Sequence, residues 1–290
     1  MAAASGIELL RKDQLNPLLT STYGTGEMIL HIINEGIRDI IIGIGGSATV
    51  DGGAGMLQAL GFRLLNSEGE NIPLGGGGLS QLSKISTESA HPELKNLNIR
   101  VACDVTNPLL GKSGAAAVFG PQKGAKPQDV EELEVGLGKL ADLAIAEKYC
   151  QSVSEPGDGA AGGLGMALRV FLKAKSESGA ELVLKESGFN EHIKGCHYVI
   201  TGEGCTDSQT LSGKLCAVVA QKAKESGVPT ILLSGALKGS DHRPLLELFH
   251  TALSIDSGHI TLESAISASK SDLEYTASCV ARLVSSKDIY

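Results

Sequence analysis

The sequence predicts an α/β fold of two lobes, one a flavodoxin- or Rossmann-like parallel sheet and the other a mixed α/β lobe. Three observations lead there. Short apolar, β-rich runs alternate with segments of helical periodicity along the 290 residues. Most of those runs stop at glycine or a polar loop, in a chain that holds 37 glycines. A composition of 42 % hydrophobic and 20 % charged residues is ordinary globular material, enough for one large domain or two smaller ones.

Taken in order, strands are expected at Asp39–Gly43, Ile99–Cys103, Ala115–Phe119, Tyr198–Thr201, Thr230–Leu233 and Ala252–Ile255. Between many of them lie helices. Gly26–Glu35 carries Met28, Ile29, Ile32 and Ile33 at helical spacing, and Gly53–Leu60 is small and apolar. Val130–Lys148 repeats Leu133, Leu137, Leu140, Ala141 and Ala144, and Leu211–Ser226 and Leu262–Val284 complete the set. Phe62–Ser80 breaks the alternation. It reads as strand, Asn66-Ser67-Glu68-Gly69 turn, strand and a Gly75–Gly78 run, a hairpin and flexible loop outside the main sheet. Ser154–Ala167 is glycine-rich around Asp158 and then becomes helical. A lobe boundary near Lys185–Lys194 divides the chain into a mixed lobe, 1–190, and a flavodoxin-like lobe, 191–290.

Composition removes several partner classes. A net charge of −8, no Trp, five Tyr and five Phe argue against a nucleic-acid surface. No run approaches the ~18 apolar residues that span a bilayer, so no membrane partner is expected. The cysteines at 103, 150, 196, 205, 216 and 279 fit neither a zinc pattern nor a disulfide framework and read as free thiols in a reducing cytoplasm. Arg11 and Lys12 follow the first apolar stretch, the reverse of a signal peptide. The sequence sets no oligomeric state.

Four glycine-rich turns follow a common plan. They are Gly43–Gly53, containing Gly45, Gly46, Ser47 and Thr49; Ala102–Pro108, with Asp104 and Asn107; Pro156–Gly163, with Asp158; and Thr201–Thr210, with Gly202, Glu203, Gly204, Asp207 and Gln209. Ligands bind at the carboxyl ends of strands in open α/β sheets, and glycine lets backbone approach them. Four such loops in one chain predict a shared site for an anionic small molecule. Carboxylates beside glycine loops suit phosphoryl transfer, with Asp104, Glu203 and Asp207 the best-placed acids. Two of them also have a plainer reading: Asp104 as a turn cap over Asn107-Pro108, Asp207 as the N-cap of the following helix. Of the bases nearby, Lys112, Lys123 and Lys214 stand out, Lys214 lying inside the expected helix as a phosphate contact or a solvated lysine. Gly43-x-Gly45-x-x-Ala48 matches a dinucleotide fingerprint in form. Asp51-Gly52-Gly53 would interrupt its helix and Glu68 falls in a turn, so a nicotinamide dehydrogenase is disfavoured.

The chain resembles the type-1 glycerate kinase family of bacteria. The resemblance rests on Tyr23-Gly24-Thr25-Gly26-Glu27 with Gly43–Thr49, on Cys103–Gly111, on Phe119–Ala125, and on Thr201-Gly202-Glu203-Gly204 with Asp207, Gln209, Gly213 and Lys214. It implies ATP-dependent phosphorylation of D-glycerate in a cleft between two α/β lobes, with ATP and Mg²⁺ as cofactors. The candidate catalytic residues are then Asp207, Asp104 and Lys214. Gly45, Gly46, Ser47, Thr49, Asn107, Gly202, Glu203, Gly204 and Gln209 are candidates for substrate or phosphate, and Asp104 and Glu203 for Mg²⁺. Cys205, Thr206 and Ser208 depart from the family's usual arginine, hydrophobic residue and glycine, and Cys216 stands where proline is frequent. The family's upstream Asp-Ser-Phe-Lys-like strand and Asp-Gly-Gly-Glu segment are not found, which predicts an N-terminally shortened member. The competing reading is a catalytically inactive remnant that still binds ligand.

Overall fold

The computed structural model describes residues 1–207, 210–239, 242–258 and 261–285. It divides into two compact units, Met1–Gly179 and Ala180–Tyr290, where the sequence reading divides the chain at 190/191.

In the first unit, a single turn α1 (Ala2–Ser5) and α2 (Tyr23–Asn34) precede β1 (Asp39–Gly43) and α3 (Ala54–Ala59). Then come β2 (Arg63–Leu65), β3 (Lys84–Ser86), β4 (Asn98–Ala102), α4 (Ala115–Phe119), α5 (Pro127–Ala146), α6 (Ala160–Leu172) and β5 (Lys175–Glu177). β1, β4 and β5 form a parallel sheet in that order, with Asp39 opposite Asn98 and Ala102 opposite Glu177. Its core joins Ile40, Ile42, Ile99 and Val101 of the strands to Ile29 and Ile33 of α2, Met56 and Leu57 of α3, and Leu164 and Leu168 of α6. Gly26 of α2 lets the two helices touch, because a Cβ there would stand 2.6 Å from the Met56 carbonyl oxygen. α5 begins at a proline, accepts the Lys126 N–H on Asp129 Oδ2 at 2.8 Å, and buries Leu133, Leu137, Leu140, Ala141 and Ala144 in a second core.

Two expectations for this unit are corrected. Ala115–Phe119 is a helix, not a strand: three consecutive alanines favour helix, and Ala115 and Ala116 pack fully buried in the α5 core. The Phe62–Ser80 hairpin forms only in part. Asn66 turns the chain by accepting the Glu68 and Glu70 N–H groups on Oδ1, but the return arm shrinks to a single bridge, Leu65 to Asn71. Pro73 offers no N–H, Gly76–Gln81 coils into a 3₁₀ turn, and β2 pairs antiparallel with β3 instead. This pair stands apart from the parallel sheet, as expected.

The second unit follows α7 (Gly179–Glu186), whose first residue closes the first unit, with α8 (Phe189–His192), β6 (Val199–Glu203), α9 (Leu215–Glu225), β7 (Thr230–Ser234), β8 (Thr251–Ser254) and α10 (Leu262–Ser285). β6, β7 and β8 form a parallel sheet in that order. β7 is buried at all five positions, as a central parallel strand must be. α9 starts later than the periodicity predicts because Gly213 takes φ +98° and breaks the run, so Lys214 is the N-cap residue rather than an interior one.

Candidate functional site

Three of the four glycine-rich turns meet in the first unit, at the carboxyl ends of β1 and β4. There Gly45, Gly46 and Ser47 from the β1 turn, Cys103 and Asp104 from the β4 turn, and Ala160 and Ala161 from the start of α6 line a cleft of about 320 Å³. That volume lies at the small end of the range for ligand pockets. Gly45 faces open space, since a Cβ added there meets nothing within 4 Å.

Lys123 forms the cleft's cationic wall. A 3₁₀ turn, Pro121–Lys123, ended by Gly124 at φ +95°, carries its side chain inward until it is 4 % exposed. Its Nζ donates to Ser47 Oγ at 2.6 Å and to the Thr49 carbonyl at 2.7 Å, and lies 5.9 Å from the Phe119 ring centre. Burial pushes its pKa from the ordinary 10.5 down to about 8, against the pull of the Asp51 carboxylate. Asp51 is itself committed elsewhere. Fully buried, it accepts from Thr22 N and Oγ1 at 2.8 Å, and from Gly53 N and Gly55 N at 3.1 and 3.2 Å, holding α2 to the start of α3.

The remaining sequence candidates of this unit sort by position. Asp104 opens onto the cleft, but its Oδ1 accepts from Gly179 N at 2.8 Å and Ser178 Oγ at 3.3 Å, so it caps the chain after β5 and not the Asn107-Pro108 turn. Thr49 is buried behind the cleft; its carbonyl holds Lys123 and its Oγ1 has no hydrogen-bond partner among the described residues. Asn107 ties loops together, donating from Nδ2 to Ser113 O and accepting from Gly159 N on its carbonyl. Asp158, buried, takes both Nε and Nη2 of Arg169, at 2.8 and 2.7 Å, and fixes the turn into α6. In that turn Ala161, Gly162 and Gly163 are all left-handed, at φ +52°, +72° and +92°. Cys103 donates its Sγ to Val105 O, and burial with the Asp104 charge pushes its thiol pKa up.

Lys123 is the residue to which the sequence reading assigned no role. The signal for it is its bracket, Gly120-Pro121 before and Gly124 after, which forces a tight turn just where a lysine follows.

The fourth turn lies in the second unit. Gly202 sits within β6, where a Cβ would approach the Leu233 carbonyl to 2.7 Å. Glu203 ends the strand, and its Oε1 accepts from Thr206 Oγ1 at 2.8 Å and Thr210 Oγ1 at 2.7 Å. Thr206, a departure from the family pattern, is thereby a buried partner of this carboxylate. Glu203 and Gly204 line a cavity of about 460 Å³ at the ends of β6 and β7, with Gly235, Asp256 and Asp272. Asp207 lines a separate groove with Lys238 and His242. Lys214 Nζ stands 3.8 Å from Asp207 Oδ1. Because Lys214 holds the N-cap of α9, Asp207 is not that cap. Gln209 lies outside the described residues.

The sequence profile of the glycerate kinase family matches residues 1–285. A glycerate kinase of Halalkalibacterium halodurans is 46 % identical over 282 residues, 97 % of this chain and 74 % of that protein. A glycerate 2-kinase of Escherichia coli K12 is 48 % identical over 237 residues, 82 % of this chain and 62 % of that protein. Among solved structures, a protein described as glycerate kinase 2 from Salmonella typhimurium LT2 superposes with a TM-score of 0.86 at 42 % identity, over 100 % of this chain and 75 % of that one.

Proposed function

The chain belongs to the glycerate kinase family, and from that premise we propose that it transfers the terminal phosphate of ATP to the 2-hydroxyl of D-glycerate, yielding ADP and 2-phosphoglycerate. The observation that carries the reading is the cleft in which Gly45, Gly46, Ser47, Asp104 and Lys123 meet at strand ends, a setting made for a small oxyanion. The 2-position is supported by the name of the E. coli relative. The dehydrogenase reading loses its footing: Gly52 and Gly53 are left-handed, at φ +62° and +80°, so no helix starts at the Gly45 turn.

Mg²⁺ fits the donors present. Among the described residues no three His, Cys, Asp or Glu side chains gather as a metal site. Mg²⁺ needs only one or two hard carboxylates when phosphate oxygens and water complete its shell. Asp104 would hold it in the first unit and Glu203 is the candidate of the second; each has one carboxylate oxygen engaged by protein donors. When bound, the ion neutralises charge on the transferring phosphoryl group. Asp207 takes the proton of the attacking hydroxyl, with Lys214 Nζ 3.8 Å from its Oδ1. We assign the reaction to the cytoplasm, a reading supported by the free cysteines at 103, 150, 196, 205, 216 and 279. Among the described residues no helix is long and apolar enough to cross a membrane.

The test is ADP release from ATP and Mg²⁺ with and without D-glycerate, followed by ³¹P NMR of the product. Glycerate-dependent ADP and a 2-phosphate are expected. Equal ADP in both arms overturns the activity, and a 3-phosphate overturns the regiochemistry alone.

A further inference from the structure

A buried ammonium normally sits against a carboxylate, because taking the charge out of water is expensive. Lys123 is 4 % exposed, and among the described residues no carboxylate lies within ion-pair distance of it. Asp51 influences it through space but is saturated by backbone and hydroxyl donors of its own. The ammonium's two protein partners are both neutral oxygens, Ser47 Oγ and Thr49 O. The charge is therefore incompletely compensated within the protein, and it borders the cleft.

The contact with Ser47 has a fixed polarity. An ammonium has only donors, whereas a hydroxyl has one proton and two lone pairs. Ser47 Oγ must accept from Lys123, which frees its own proton to turn away. Ser47 lines the cleft beside Gly45 and Gly46.

We infer that Lys123 and Ser47 form an oxyanion subsite, in which Lys123 orients the Ser47 hydroxyl to donate into the cleft and supplies the positive charge that an anionic ligand oxygen completes. This rests on the kinase reading and names the ligand chemistry of the same cleft. Ser47 touches the ligand; Lys123 is a positioning residue. The oxyanion is the carboxylate of the hydroxy acid or the terminal phosphate of the nucleotide, and the two are separable by experiment.

The polarity also makes the subsite reversible. Once Lys123 is deprotonated, its amine can accept, and the Ser47 proton turns back from the cleft to the nitrogen. The other titratable groups around this point are Asp51 behind it and Cys103 and Asp104 in the same cleft.

The experiment compares wild type with Ser47→Ala, Lys123→Met and Lys123→Arg. KM for D-glycerate and for ATP, kcat, and the pH dependence of kcat/KM from pH 6 to 9.5 are measured. Calorimetric titration with D-glycerate alone and ATP alone reads binding without turnover. Loss of one charge-assisted hydrogen bond predicts a rise of about 10- to 100-fold in KM and Kd for one ligand in Ser47→Ala, with the other within about twofold. Wild-type kcat/KM falls above pH ~8 as both the Ser47 donor and the Lys123 charge are lost, and in Ser47→Ala the fall is shallower because only the charge remains to be lost. Lys123→Arg restores part of the affinity lost in Lys123→Met. A rise confined to D-glycerate assigns the carboxylate, and one confined to ATP assigns the phosphate; either supports the subsite. Unchanged KM and Kd for both ligands in Ser47→Ala overturns it, even if Lys123→Met fails to fold. Wild-type binding without glycerate-dependent turnover counts against the kinase reading and leaves the subsite standing.

Discussion

Asp207 and Lys123 are two kinds of candidate residue. Asp207 is partly exposed, meets Lys214 only at 3.8 Å, and does not cap α9. An exposed pair of that length contributes less than about 1 kcal/mol. Asparagine keeps the size and hydrogen-bonding capacity of the side chain, so Asp207→Asn should change the melting temperature far less than it lowers kcat, by about 100-fold or more, as loss of a base does. Near-wild-type kcat in a steady-state assay would remove Asp207 from the mechanism. Such a residue was legible in the sequence, because an acid in a strand-to-helix turn announces itself by type and place. Lys123 was less so. Nothing in Pro121-Gln122-Lys123 says that the amine is buried on Ser47, 76 positions away in sequence. The same blindness covers Asp158: a carboxylate in a glycine loop looks chemical until Arg169 is seen holding both its oxygens.

Elements were read well where one signal dominated. β1 and β7 carry continuous aliphatic runs closed by glycine or serine, and α5 repeats leucine on one face. The misreadings came where local preference and packing were both short-ranged. Ala115–Phe119 is too brief for periodicity to separate helix from strand, and only its seat against α5 decides. Gly162 in the turn into α6 and Gly45 in the β1 turn allow a direct comparison of two glycines. At Gly162, φ is +72° and a Cβ would lie 2.0 Å from Thr49 O, the segment that carries Lys123's second acceptor. Gly162→Ala should destabilise the fold by at least about 2 kcal/mol in denaturant unfolding, from strain and clash together. Gly45→Ala, with open space around its Cβ, should cost less than about 0.5 kcal/mol yet weaken ligand binding. Equal stabilities of the two variants would mean that the left-handed turn is not required.

At the scale of the whole molecule, Lys123 couples stability to pH. Its folded pKa of about 8 lies below the unfolded value of 10.5, so the unfolded chain binds more protons between those limits. Stability from this group therefore rises as pH goes from 8 to 10.5, by at most about 3 kcal/mol, and is flat below 8. The difference in unfolding free energy between wild type and Lys123→Met, followed from pH 7 to 10.5, should show this slope; a constant difference would refute it. The parallel sheets were readable from the alternation of strands and helices. A shared site was inferred for all four turns from their common plan; three of them line one cleft in the first unit, the fourth lies in the second unit, and which residue closes the first cleft required the packed fold. The cleft has one further property, set by Cys103. Its sulfur is held as a thiol by burial and by the charge of Asp104. Attack on peroxide or on an alkylating reagent proceeds through thiolate, so this cysteine reacts more slowly at neutral pH than an ordinary exposed thiol.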